Sequence, residues 1–227
     1  MMAKITNHLF DNDKKRRQWA RARIVSSSAK LISTKPISEI KVEDIAAHSD
    51  VSRASFYKCF RSVEDLLNVS AKRSATELLK PVNSVGSTIS DIALRTATKT
   101  RIGIRMMTSV PLLGRLMLKT EWPFGDARHK GYKDIQNDIA AGVAQGYFTD
   151  MPVEIGVNLV ISALRVGTQN GLNSTHTEEY ETQIIHTLLL SLGVDAKRAD
   201  EISKIPFDQL PDLPKNGLVG KIVSLVS

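Results

Sequence analysis

The sequence predicts an all-α protein in which an N-terminal three-helix, helix-turn-helix domain precedes a larger helical C-terminal domain. Three observations predict it. Apolar residues recur at helical spacing along most of the chain, and no strand-like alternation competes. Two short helical patterns, residues 42–49 and 52–60, abut at Asp50 with no room for more than a tight corner. The charge is also one-sided: residues 1–61 hold 13 Lys+Arg against 6 Asp+Glu and residues 62–227 hold 18 against 18, so the whole net charge of +7 lies in the first quarter. A basic head on a neutral body points to a polyanion for the head and a different partner for the body.

Residues 1–13 are mixed in character and are expected to be mobile. They run into Lys14-Lys15-Arg16-Arg17, Arg21 and Arg23, and Ile24, Ser28, Leu31 and Ile32 then recur at helical spacing, which predicts a first helix over residues 16–33. Lys35-Pro36 ends it, and Ile37 and Ile40 can close the bottom of the head. In residues 42–49, Ile45 and Ala46 face inward and Glu43 and Asp44 sit in the first turn. The corner at Asp50 calls for a positive φ, which Asp tolerates better than most side chains.

Residues 51–60, Val-Ser-Arg-Ala-Ser-Phe-Tyr-Lys-Cys-Phe, read as a short, capped, basic helix suited to a DNA groove. Ser52 is a good N-cap, and Val51 before it can staple to Phe56. Phe56 and Phe60, one turn apart, pin one side to a core and leave Arg53, Ala54, Ser55, Tyr57 and Lys58 free. Small residues at the helix start permit close approach to base edges. An Arg can pair bidentately with guanine, and Tyr and Lys can hold phosphates.

Ser62 caps a fourth helix with Glu64 and Asp65 in its first turn and a stripe of Leu66, Leu67, Ser70, Ala71, Ser74 and Leu78. Pro81 is expected to stop it near Lys80, with residues 82–87 as a boundary. The body is expected to carry helices over 89–109, 111–121, 131–145, 152–170 and 178–192. Gly193 serves as a stop, and Asp195 caps a short helix to Lys204. Gly156, Gly167 and Gly171 allow a neighbour close to the 152–170 helix. The division is 1–80, 81–205 and a weakly determined, Pro-rich tail over 206–227.

Composition excludes several classes. With 42% apolar and 24% charged residues the chain is ordinary for a globular protein. Cys59 is the only cysteine, so an internal disulfide and a Cys-based metal site are both impossible. A cytoplasmic location is expected, since no signal peptide pattern is present and no apolar run reaches the length of a membrane span. His8, His48, His129, His176 and His186 are scattered, and no zinc-protease pair, phosphate loop or triad can be built from the spacing, so neither catalysis nor a cofactor is expected.

The residues of the head resemble the DNA-binding domain of the tetracycline-repressor (TetR) family of bacterial transcription regulators. Arg23-Ile24-Val25, Ser27-Ser28, Leu31-Ile32, Val42 to Ala46, Val51-Ser52, Phe56-Tyr57, Phe60 and Glu64-Asp65-Leu66 follow that pattern in order and spacing over residues 20–67. More loosely, residues 142–148 and 188–194 are similar to stretches in C-terminal domains of the family. Three departures bear on contacts. Lys41 stands where a Ser or Thr is common, Asp50 replaces a turn Gly, and Val63 replaces a Lys, so that this phosphate contact is either lost or passed to Arg61.

The resemblance implies a homodimer presenting two such helices to a palindromic double-stranded operator, with the C-terminal domain serving ligand binding and dimerisation. DNA contacts then fall on Lys41, Ser52, Arg53, Ala54, Ser55, Tyr57, Lys58 and Arg61. Dimerisation falls on the 152–170 and 178–192 helices, which can form a four-helix bundle with their copies, although packing within one subunit gives the same pattern. A small-molecule effector of unknown identity is placed among Met106, Met107, Leu112, Leu116, Met117, Trp122, Phe124 and Tyr132. Arg95, Lys99, Arg101, Arg105, Arg115 and Lys119 make the region cationic, either as a solvated face or for an anionic ligand. A ligand-released repressor is the leading reading. The alternatives are a helical enzyme or binding protein acting through the same pocket, and a redox-responsive regulator acting through Cys59, whose neighbours Lys58 and Arg61 can favour a thiolate.

Overall fold

In the computed structural model, residues 2–173, 178–206 and 209–226 are described, with side chains from residue 15 to residue 225. The described residues form eleven α-helices and no strand. The head contains α1 (Met2–Thr34), α2 (Val42–Ser49) and α3 (Arg53–Cys59), and α4 (Val63–Gly86) leads out of it. The body contains α5 (Ile92–Ser109), α6 (Pro111–Lys119), α7 (Lys130–Ala144), α8 (Val153–Gly171), α9 (Glu178–Ser191) and α10 (Ala196–Ser203), and α11 (Gly217–Val226) ends the chain.

The head closes around Ile24, Leu31, Ile45, Phe56 and Phe60, all at most 1% exposed. Its corners are capped as the residue types dictate. Asp50 takes φ 49°, and Ser52 Oγ accepts from the Ser55 amide at 3.1 Å. Ser62 Oγ accepts from the Asp65 amide at 3.1 Å. The first helix is longer than expected, starting at Met2 instead of near Arg16.

The end of α4 is a second correction, because Pro81 lies inside the helix, which continues to Gly86. Proline removes one backbone donor and crowds the preceding turn, at a cost of about 3 kcal/mol. Packing on either side of Pro81 outweighs that cost: Leu78, Leu79, Val82 and Gly86 are buried, and Asn83 Nδ2 donates to Asp134 Oδ2 of α7 at 2.8 Å. The turn between head-bearing helix and body therefore falls at residues 87–91, closed by Asp91 as the N-cap of α5.

In the body, α5 is the central helix, touched by α4, α6, α7, α8, α9 and α10. The small residues of α8 serve this packing. A Cβ on Gly167 would fall 2.4 Å from Ile104 of α5, and one on Gly156 would fall 2.6 Å from Ile139 of α7. The close neighbour that these glycines admit is thus in the same chain. Gly193 ends the α9 segment at φ 83°, and Asp195 caps α10 by accepting from the amides of Lys197 and Arg198.

The expectation of an undetermined tail is corrected for residues 217–226, which form α11. Leu218, Val219 and Ile222 are at most 1% exposed, and the helix packs on α1, α4 and α6.

Candidate functional site

The polar side of α3 is outward because its apolar side is consumed within. Phe56 and Phe60 are buried with ring centroids 5.7 Å apart. Arg53, Ala54, Tyr57 and Lys58 are exposed beside them, and Ser55 is half-buried, its hydroxyl 2.9 Å from that of Ser52. The Tyr57 ring stands edge-on to Phe56 at 5.4 Å while 53% of the residue stays exposed, which holds its hydroxyl away from the core. Lys41 and Arg61 are exposed at the entries to α2 and α4. Arg53 Nη1 lies 3.1 Å from Glu43 Oε1 of α2, with both side chains more than half exposed. An exposed pair of this kind is weak and readily exchanged for a phosphate or a base edge.

Not all of the basic lead-in is free for a polyanion. Arg21 Nη1 donates to the Cys59 carbonyl at 2.6 Å and its guanidinium stacks 4.4 Å from the Phe60 centroid, closing the C-terminal end of α3. Arg23 pairs with Asp50 at 2.9 Å, so the acid in the corner carries its own counter-ion. Residue types reveal neither role, since the partners lie 38 and 27 positions away. Cys59 is buried, its thiol directed at the Arg17 carbonyl at 3.7 Å.

A cavity of about 60 Å³ lies between α4, α5, α7 and α8. Its walls are apolar: Leu78, Leu79 and Val82 from α4, Met106 and Met107 from α5, Phe124, Ile135 and Ile139 from the α7 side, and Val160 and Leu164 from α8. One end is polar. There Asn83 bonds Asp134, while Arg95 Nε and Lys99 Nζ donate to the two oxygens of Asp138 at 3.1 and 2.7 Å. Thr96 and Thr100 also line the space. Thr100 Oγ1 donates to the Thr96 carbonyl at 2.8 Å, whereas Thr96 Oγ1 is buried with no hydrogen-bond partner.

Of the residues expected at the effector site, Met106, Met107 and Phe124 line this cavity. Leu116 and Met117 are fully buried in the core, Trp122 is buried and Tyr132 half-buried, none of them on the cavity wall. Leu112 lies instead in a groove against the end of α1. The sequence reading missed the α4, α7 and α8 walls. Their spacing was readable, as in Asp134 and Asp138 or Thr96 and Thr100 one turn apart, but which faces meet was not.

Four of the six expected cations are engaged in ion pairs within the fold. Arg95 and Lys99 are held by Asp138, and Arg101 and Arg105 by Glu181, which is 1% exposed. Arg101 further donates to the carbonyls of Ser203 and Ile205, at 2.5 and 2.8 Å. Arg115 and Lys119 line the groove near α1.

Beside the cavity, His129 Nδ1 accepts from the Gly131 amide at 3.1 Å, capping α7, and Nε2 bonds Thr76 Oγ1 of α4 at 3.0 Å. Burial holds its pKa below the ordinary 6.5. His48 Nδ1 meets the Asp44 carbonyl oxygen at 3.0 Å and His186 is half-buried, whereas the side chain of His8 and all of His176 lie outside the described residues. Among the described residues no group of His, Cys, Asp or Glu is arranged to hold a metal ion, and no helix is long and apolar enough to cross a membrane.

Comparison with known proteins bears on both regions. A family model described as bacterial regulatory proteins, tetR family, matches residues 24–69. Among solved structures, RolR in complex with resorcinol superposes with a TM-score of 0.70 at 20% identity, covering 86% of this chain and 98% of that one. A TetR family transcription regulator from Marinobacter aquaeolei VT8 gives 0.57 at 16% identity, over 79% of this chain and 98% of that one. AibR in complex with isovaleryl coenzyme A and operator DNA gives 0.50 at 19% identity, over 76% and 97%. No curated protein matches the chain by sequence.

Proposed function

We propose, on the footing of the tetR family model matched by residues 24–69 and of a fold shared with solved TetR-family regulators, that the chain is a ligand-responsive transcriptional repressor of that family, binding a palindromic operator as a homodimer and released by a small molecule. The carrying observation is α3, whose exposed Arg53, Ala54, Tyr57 and Lys58 stand on a helix pinned from behind by Phe56 and Phe60. That is the arrangement base-edge readout needs. Ser52, Ser55, Lys41 and Arg61 supply the surrounding positioning contacts. The proposed functional division is 1–80 for DNA, 81–205 for ligand and dimer, and 206–227 as a C-terminal segment, with α4 crossing the first boundary, since Leu78 and Leu79 line the cavity and the helix runs to Gly86; no catalytic role is assigned.

Dimerisation is supported by an unpartnered apolar stripe. Ile155 and Val166 on α8 and Leu190 on α9 are 52%, 46% and 41% exposed, and Leu159 lies half-buried between the first two. A second copy covering these helices would form the four-helix interface. The effector reading is supported by the cavity and by the resorcinol-bound neighbour of the same fold.

Release follows from α4, which supplies one cavity wall and also enters the head core through Leu66 and Leu67. A ligand that prefers a shifted α4 changes the separation of the two recognition helices. Moving them off the groove repeat of about 34 Å abolishes simultaneous docking.

The test is selection of bound duplexes from a random pool, followed by titration of the winner across salt. A palindromic consensus whose affinity falls steeply with salt is expected. No enriched sequence would overturn the proposal.

A further inference from the structure

We infer that the cavity takes a small uncharged ligand bearing an alcohol or phenol hydroxyl, held between Thr96 and Thr100. This rests on reading the cavity as the effector site. Threonines within helices ordinarily turn their hydroxyl to a carbonyl three or four residues back, as Thr76, Thr100, Thr108 and Thr168 do here. Thr96 does not: the residue lines the cavity, is only 5% exposed, and its hydroxyl is buried without a partner. An unmade hydrogen bond of this kind is costly in an apolar wall, and a ligand that supplies the partner recovers the cost.

The apolar lining selects against ions. Arg95 and Lys99 share Asp138, and Asp134 is engaged by Asn83. A carboxylate or ammonium ligand would lose its hydration on entering the apolar part of the space, a cost that an uncharged ligand does not meet. The two threonines also distinguish a hydroxyl from a carbonyl. Thr96 Oγ1 can donate to the ligand oxygen, and Thr100 Oγ1, whose proton already serves the Thr96 carbonyl, can only accept. A ligand O–H satisfies both; a ketone satisfies one.

Dissociation constants of phenol, toluene and benzoate for the purified full chain test this, since toluene replaces the hydroxyl by a methyl of similar size. Phenol is expected to bind most tightly. Thr96→Val should weaken phenol by roughly 5- to 50-fold, leave toluene unweakened and raise the melting temperature of the empty protein. Toluene or benzoate equalling phenol, or phenol affinity unchanged in Thr96→Val, would overturn the hydroxyl assignment. Binding of no probe, or probe binding that survives filling the cavity with Ile135→Trp, would instead overturn the effector-cavity reading.

A different observation carries a second inference: the geometry points to α11 as a strap joining the cavity wall to the head. Glu77 of α4 accepts from the amides of Leu218 and Val219 at 3.0 and 2.8 Å, and Arg73 Nε holds the same carboxylate at 3.0 Å. Gly217 enters at φ 81°, where a Cβ would fall 2.5 Å from Glu77 Oε1. On its other side α11 packs along α1, with Lys221 bonded to Ser26. Glu77 adjoins Leu78 and Leu79 of the cavity wall, so movement there reaches α1 by a route that bypasses the covalent path through α3.

Hydrogen exchange and operator affinity of Val219→Asp/Ile222→Asp in the full chain test the strap. Faster exchange in α11 is expected together with faster exchange over residues 21–34 and an operator affinity changed by about fivefold or more, the scale of a coupling near 1 kcal/mol. Faster exchange confined to α11, with operator affinity unchanged, would overturn it. So would exchange unchanged throughout.

Discussion

Arg53 of the recognition helix lies 3.1 Å from Glu43 of the preceding helix, so the cation expected to read a base is held by an acid on the same face before DNA arrives. Base contact requires that this exposed pair open, at a cost of less than about 1 kcal/mol. Arg53→Ala is expected to lose about 1 to 3 kcal/mol per half-site with relaxed preference at one position. Competition gel shifts on the selected duplex and its single-base variants check this. Equal loss on every sequence would make Arg53 a phosphate contact.

Glu181 is the deepest carboxylate described, shared by Arg101 and Arg105 between α5 and α9. Glu181→Ala would leave the Arg101 guanidinium, 6% exposed, buried without its partner charge. A loss of about 3 to 5 kcal/mol is expected in denaturant unfolding. A loss below about 1 kcal/mol would mean that the Ser203 and Ile205 carbonyls suffice to hold Arg101.

His129 gives the fold a pH dependence of known sign. Burial lowers its pKa from 6.5, so near that pH the folded chain binds fewer protons than the unfolded chain. Its contribution is fully present above the ordinary value and is lost as pH falls below 6.5 toward the depressed folded value. Melting temperatures from pH 7.5 to 5 should fall less in His129→Gln than in the parent protein. Parallel curves would place the acid sensitivity elsewhere.

The α8 stripe is checked by mass. Val166→Arg is expected to shift the protein from dimer to monomer in light scattering, because a second copy would bury the new charge without a partner. An unchanged dimer mass would exclude this face.

Capping and corner chemistry were legible because they are local. Ser52, Ser62 and Asp195 cap the helices their positions indicate, and Asp50 adopts the positive φ its corner requires. Pro81 misled for the opposite reason. Its local penalty is real, but burial of Val82 and the Asn83–Asp134 bond, made with an element about fifty residues away, decide the outcome. The cavity was legible only in small part. Met106, Met107 and Phe124 were identified by residue type, whereas Leu116 and Met117 have the same character and are ordinary core.

By itself the sequence determined the helical class, the helix-turn-helix and its outward residues, since periodicity, caps and the segregation of charge are properties of neighbours in the chain. Only the tertiary structure decided which walls enclose the cavity, that Thr96 alone among its threonines lacks a partner, that Arg21 and Arg23 are spent on structure, and that α11 returns to α1. Each depends on groups brought together from distant positions, and burial free energy depends on the facing surface, which no local pattern specifies.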